Sequence, residues 1–82
     1  MSDWFVYIIR CADDSLYTGI STNVASRIIS HNAGDGAKYT RGRRPVSLVW
    51  FEKANSESSA RKRELHIKSW TRREKEDLVK GD

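Results

Sequence analysis

The chain has 82 residues, 38% of them hydrophobic and 32% charged, with a formal net charge of +4. That length fits one small domain, expected over residues 1–82, burying about 60–65% of the surface its unfolded chain would expose. Aromatic and β-branched residues spread along the sequence argue against disorder, and no apolar run nears the ~18 residues a bilayer span needs.

The opening Met1-Ser2-Asp3-Trp4 has no basic stretch ahead of an apolar one, so no secretory signal is expected. Trp4 to Arg10 (WFVYIIR) is rich in aromatic and β-branched residues and reads as a strand. Cys11 is the only cysteine, so it forms no internal disulfide and fits a reducing, cytoplasmic setting. Its plain role is a small, half-buried strand residue. Ala12 to Ser15 reads as a turn, because Asp and Ser bond locally to backbone. Leu16 to Ile20 then completes an antiparallel hairpin.

Ser21, Thr22 and Asn23 are N-cap candidates for a helix from about Val24 to Asn32, with Val24 and Ile28 on one face and Gly34 and Gly36 ending it. Residues 34–45 read as a basic, glycine-bearing loop. Val46 to Glu52 is a third strand with Pro45 at its edge. Asn55 or Ser56 caps a second helix from about Glu57 to Ser69. Thr71 and Glu74 have capping-box spacing and start a third helix running to about Lys80. The order β-β-α-β-α-α implies an α+β fold, a three-stranded, mostly antiparallel sheet flanked by helices.

The charge is unevenly placed. Residues 1–41 hold four basic and four acidic residues, whereas 42–82 hold eleven and seven and so carry the whole excess. Lys38, Arg41, Arg43 and Arg44 form one basic cluster; Arg61 to Arg63, Lys68, Arg72, Arg73 and Lys75 form another. A polyanion such as nucleic acid is the natural partner. A solvated helix face explains part of it, since Glu57–Arg61 and Glu64–Lys68 have the spacing of surface pairs.

Several residues could carry chemistry. Tyr7 and Tyr17 lie on the two hairpin strands, where an aromatic usually packs. Gly19 is unexpected inside a strand and marks either a close approach or a bulge. Arg27 and His31 share a helix face: guanidinium suits phosphate and imidazole moves protons near neutral pH, though a partly exposed pair without a ligand is the plainer reading. Glu64 lies beside the apolar positions Ala60 and Ile67, so it needs a partner or a metal. With no second carboxylate at ligand spacing, such a metal is a hard cation that keeps most of its waters.

Together these residues resemble the GIY-YIG nuclease superfamily, over roughly Trp4 to Trp70. Phe5-Val6-Tyr7 stands at the first motif and Tyr17-Thr18-Gly19 at the second. Arg27 matches the catalytic arginine, His31 a histidine common in several branches, and Glu64 the metal-binding glutamate. The segment Gly36 to Pro45 (GAKYTRGRRP) is similar to a signature of the small stand-alone YhbQ-like proteins. The first motif lacks its glycine, and Thr18 replaces isoleucine in the second. An asparagine used by some branches would fall near Glu76.

The resemblance implies metal-dependent, endonuclease-type hydrolysis of a phosphodiester. One Mg²⁺ (or Mn²⁺) ion is held by Glu64, Tyr7 accepts a proton from water, Tyr17 positions that water, Arg27 steadies the phosphoryl charge, and His31 bonds Tyr7 or phosphate. Lys38, Tyr39, Arg41, Arg43 and Arg44 are expected to contact nucleic acid, DNA being the first choice. The alternatives are a non-catalytic nucleic-acid-binding module that retains the site and a protein-interaction domain. A domain this small is expected to draw specificity from a partner or a second copy.

Overall fold

The computed structural model describes residues 3–81. Met1, Ser2 and Asp82 lie outside the described residues, and with them the start of the segment expected to lack a signal and both ends of the expected domain span. The elements are β1 (Trp4–Arg10), β2 (Leu16–Ser21), α1 (Val24–Ala33), α2 (Lys38–Arg41), β3 (Ser47–Ala54), α3 (Glu57–Lys68) and α4 (Arg72–Lys80). The expected α+β order is observed, with the single turn α2 added inside the 34–45 loop.

The sheet runs β2-β1-β3, antiparallel throughout. β1 is central, and Val6, Tyr7, Ile8 and Ile9 are all buried. Side chains alternate across a strand, so this unbroken apolar run means both faces are covered. Val6 and Ile8 pack with Ala60 and Ile67 of α3, and with Trp50, Trp70 and Leu78 around them. Tyr7 and Ile9 pack on the other face with Cys11, Val46, Val24 and Ile28. Each fully buried aliphatic side chain contributes about 1.5–3 kcal/mol.

Local chemistry sets the element ends. The Asn23 side chain accepts from the Ser26 N–H at 3.0 Å, and Gly34 stops α1 with φ 87°. Ser56, not Asn55, caps α3. Thr71 and Glu74 form the expected capping box of α4. The hairpin turn closes on Asp13, whose Oδ1 accepts from the Ser15 N–H.

Two expectations are corrected. β3 begins at Ser47 and runs to Ala54, because Val46 spends its backbone elsewhere. Its N–H donates to Asn32 Oδ1 at 2.7 Å and its carbonyl accepts from Asn32 Nδ2 at 3.1 Å. Cys11 is buried just beyond β1, not half-buried within it. Among the described residues, no helix is long and apolar enough to cross a membrane.

Candidate active site

The site grows from the hairpin register. Tyr7 pairs with Gly19, and Ile9 with Tyr17, so the two tyrosines are diagonal neighbours on one sheet face. A Cβ added at Gly19 would lie 2.5 Å from Tyr7 Oη and 2.7 Å from its Cζ. The tyrosine ring therefore lies across the edge strand through the space a side chain would take. This is the close approach that a strand glycine permits.

α1 brings His31 onto this face, fully buried. Its Nε2 lies 2.9 Å from Tyr7 Oη, and its Nδ1 2.9 Å from Thr40 Oγ1. The edge of the imidazole also meets the Tyr17 ring, with centroids 5.5 Å apart. The plainer reading of His31 as partly exposed does not hold. Gly36 makes room for it: a Cβ there would overlap the imidazole and sit 2.9 Å from the His31 Cα.

Arg27 stands one helical turn before His31 and acts on the Tyr7 phenol. Burial raises the Tyr7 phenol above its ordinary value; Arg27 pulls it down, while Tyr17 and Glu64 push it up. Positive charge from Arg27 thus fails to make Tyr7 a phenolate at rest. Burial, and then Arg27, lower the His31 imidazole. The pair is neutral near pH 7.

Glu64 projects from α3, with its carboxylate 3.3 Å from Lys68 Nζ and its side chain only 16% exposed. Lys68 Nζ also lies 5.6 Å from the centroid of the Tyr17 ring, so this end of α3 borders Tyr17. Among the described residues no three His, Cys, Asp or Glu side chains cluster as a metal cage. A single, mostly covered carboxylate with one displaceable ammonium partner fits a hydrated hard cation and does not fit a zinc-type site.

The basic segment divides in two. Lys38 and Arg41 are exposed on α2. Tyr39 stacks on Tyr17 at 5.9 Å, and the Arg43 guanidinium sits 4.0 Å from the Tyr39 ring centre. Arg43 also donates to Asp13 Oδ2 and to the Tyr39 carbonyl. Arg44 donates to the carbonyls of Arg41 and Asn32. These two arginines staple the loop, which the sequence reading, treating all four cations alike, missed. Thr40 and Gly36 were missed as well, because their roles depend on the path of the loop around His31. Glu76, where some relatives are expected to have asparagine, is held instead by Arg10 through two bonds, at 2.7 and 3.0 Å.

The chain matches the family described as the GIY-YIG catalytic domain over residues 3–77. A UPF0213 protein of Natronomonas pharaonis is 55% identical over 78 residues, covering 95% of this chain and 92% of the relative. Another, from Staphylococcus haemolyticus, is 52% identical and covers 96% of each. The solution structure of the UPF0213 protein BH0048 from Bacillus halodurans superposes with a TM-score of 0.61 at 46% identity, covering 95% of this chain and 83% of that one. That of EF2693 from E. faecalis gives 0.66 at 37% identity, covering 99% and 86%. A family match across nearly the whole sequence, with relatives covered over most of their own length and sharing the fold, makes this chain a member of the GIY-YIG nuclease superfamily.

Proposed function

We propose that this chain hydrolyses phosphodiester bonds within nucleic acid, with one Mg²⁺ or Mn²⁺ ion held at Glu64. The observation that carries the reading is the buried Tyr7–His31 hydrogen bond, with Arg27 and Glu64 both acting on the same phenol. A structural tyrosine has no need of a buried imidazole bonded to its hydroxyl and a guanidinium that draws its pKa down.

The proton path follows from the neutral pair. Water attacks phosphorus and gives a proton to the Tyr7 oxygen as the Tyr7 proton passes to His31 Nε2. The phenol is regenerated and imidazolium forms, so no free phenolate is required. The bond from phosphorus to the leaving oxygen breaks with its electron pair on that oxygen, which takes a proton from solvent. His31 then releases its proton to water. Arg27, which only donates, balances charge at the Tyr7 oxygen and on the phosphoryl group. Tyr17, anchored against His31 and Tyr39, orients the water. When bound at Glu64, a metal ion would supply Lewis-acid chemistry to the reacting phosphate.

Exposed Lys38 and Arg41 engage flanking phosphates, which positions a strand without reading its sequence. DNA is the first choice of substrate, in the cytoplasm, and a protein partner or second copy supplies further specificity. The test is cleavage over a panel of nicked, branched, duplex and single-stranded DNA and RNA, in Mg²⁺ or Mn²⁺, with and without chelator. Product that disappears with chelator supports the proposal. Salt-sensitive binding without any product favours the non-catalytic module.

A further inference from the structure

We propose that Thr40 is a positioning residue, which locks His31 in the tautomer that can take a proton from Tyr7; this rests on the hydrolytic reading of the site. Thr40 is fully buried, and its hydroxyl has two neighbours. Oγ1 donates to the Ala37 carbonyl at 2.9 Å and lies 2.9 Å from His31 Nδ1. A hydroxyl has one proton. With that proton on Ala37, Oγ1 is an acceptor toward the ring, so Nδ1 carries the imidazole hydrogen. Nε2 is then a lone pair facing the Tyr7 hydroxyl.

The direction of the chain is fixed at both ends. Ala37 O is a carbonyl and can only accept, and it also receives the Thr40 N–H at 3.0 Å. At the other end, Arg27 is a pure donor, so it offers no acceptor to the Tyr7 proton. Among the described residues His31 Nε2 is the acceptor within hydrogen-bond distance of Tyr7 Oη. Reversing the chain would put a hydrogen on Nε2, strand the buried Tyr7 proton and make His31 a donor that cannot take a proton from Tyr7. A buried hydroxyl left without an acceptor loses its hydration for nothing in return, which sets the preference.

The sequence builds this device locally. Gly36 leaves room for the imidazole, Ala37 begins the turn α2, and Thr40 lies three residues on, where its side chain reaches back to the Ala37 carbonyl. The segment thus has a task besides contact with phosphate.

The experiment reads the tautomer directly, from the nitrogen-15 shifts of His31 in the intact chain above its titration. Wild type is expected to show hydrogen on Nδ1. Thr40→Val keeps the shape but removes donor and acceptor, and should shift the ring toward the Nε2–H form. Thr40→Ser should restore Nδ1–H. In cleavage, Thr40→Val should lower kcat about a hundredfold with KM nearly unchanged, and Thr40→Ser should recover most of it. Nε2–H in wild type, or Nδ1–H persisting unchanged in Thr40→Val, overturns the proposal. Should Thr40→Val not fold, the wild-type and Thr40→Ser spectra decide. Should wild type cleave nothing, the hydrolytic reading fails, while the tautomer still decides the role of Thr40.

Discussion

The Tyr7 ring occupies the space above Gly19, with its oxygen 2.5 Å from where a glycine Cβ would be. Gly19→Ala must therefore push the phenol away from His31 or bend β2. Overpacking of this kind costs about 1–3 kcal/mol. We expect a lowered Tm and loss of at least about tenfold in cleavage, since the proton path depends on the 2.9 Å contact. An alanine variant with wild-type Tm and turnover contradicts the geometry.

The four loop cations should separate in experiment although they look alike in sequence. Lys38→Ala and Arg41→Ala should each weaken nucleic-acid binding and reduce the salt slope by about 1, with little change in Tm. Arg44→Ala should instead lower Tm, because it removes donors to the Asn32 and Arg41 carbonyls. Binding isotherms at several salt concentrations, beside thermal melts, check both. A larger salt-slope change for Arg44 than for Arg41 contradicts the division.

Much of the fold was legible because its signals are local. The hairpin follows from one strand-like run on each side of an Asp/Ser turn, and Thr71 with Glu74 announces its own helix start. The candidate site residues were chosen through spacing and resemblance: Arg27 and His31 share a helix face whatever the fold does. Other features arise only when distant segments meet. Four residues carry no helical period, so α2 was not visible. Val46 looks like strand until Asn32 takes both its backbone groups. Arg10 and Glu76 are 66 residues apart, and nothing local in either pairs them.

That ion pair makes an acid prediction. Arg10, followed by Arg72, lowers the Glu76 carboxyl to about 2, from an ordinary 4.5. A depressed carboxylate contributes stability that is fully present above its unfolded value and lost as pH falls from 4.5 toward 2. The side chains are 28% and 23% exposed, so solvent reduces the gain. Glu76→Gln should cost about 1–2 kcal/mol at pH 7 and much less at pH 2 to 3. Urea denaturation at both pH values measures this; equal cost at both contradicts it.

His31 titrates with the opposite chemistry. Burial, and then Arg27, hold its imidazole below the ordinary 6.5. Between that lowered value and 6.5 the unfolded chain binds the extra proton, so stability falls as pH drops through this window. NMR titration should give a His31 midpoint below 6.5, with the acid limb of cleavage following it. A midpoint at or above 6.5 contradicts the buried, neutral pair.

The central claim is that Glu64 holds a metal ion for a reaction at Tyr7. Its partner in the structure is Lys68, whose side chain is 44% exposed, so neutralising Glu64 should cost under about 1 kcal/mol of stability. The most direct measurement is cleavage as a function of Mg²⁺ for wild type and Glu64→Gln, with substrate binding followed alongside. The account predicts saturable, chelator-reversible cleavage in wild type, and none in the variant despite an intact fold and retained binding. Equal metal-dependent cleavage by both proteins would contradict it.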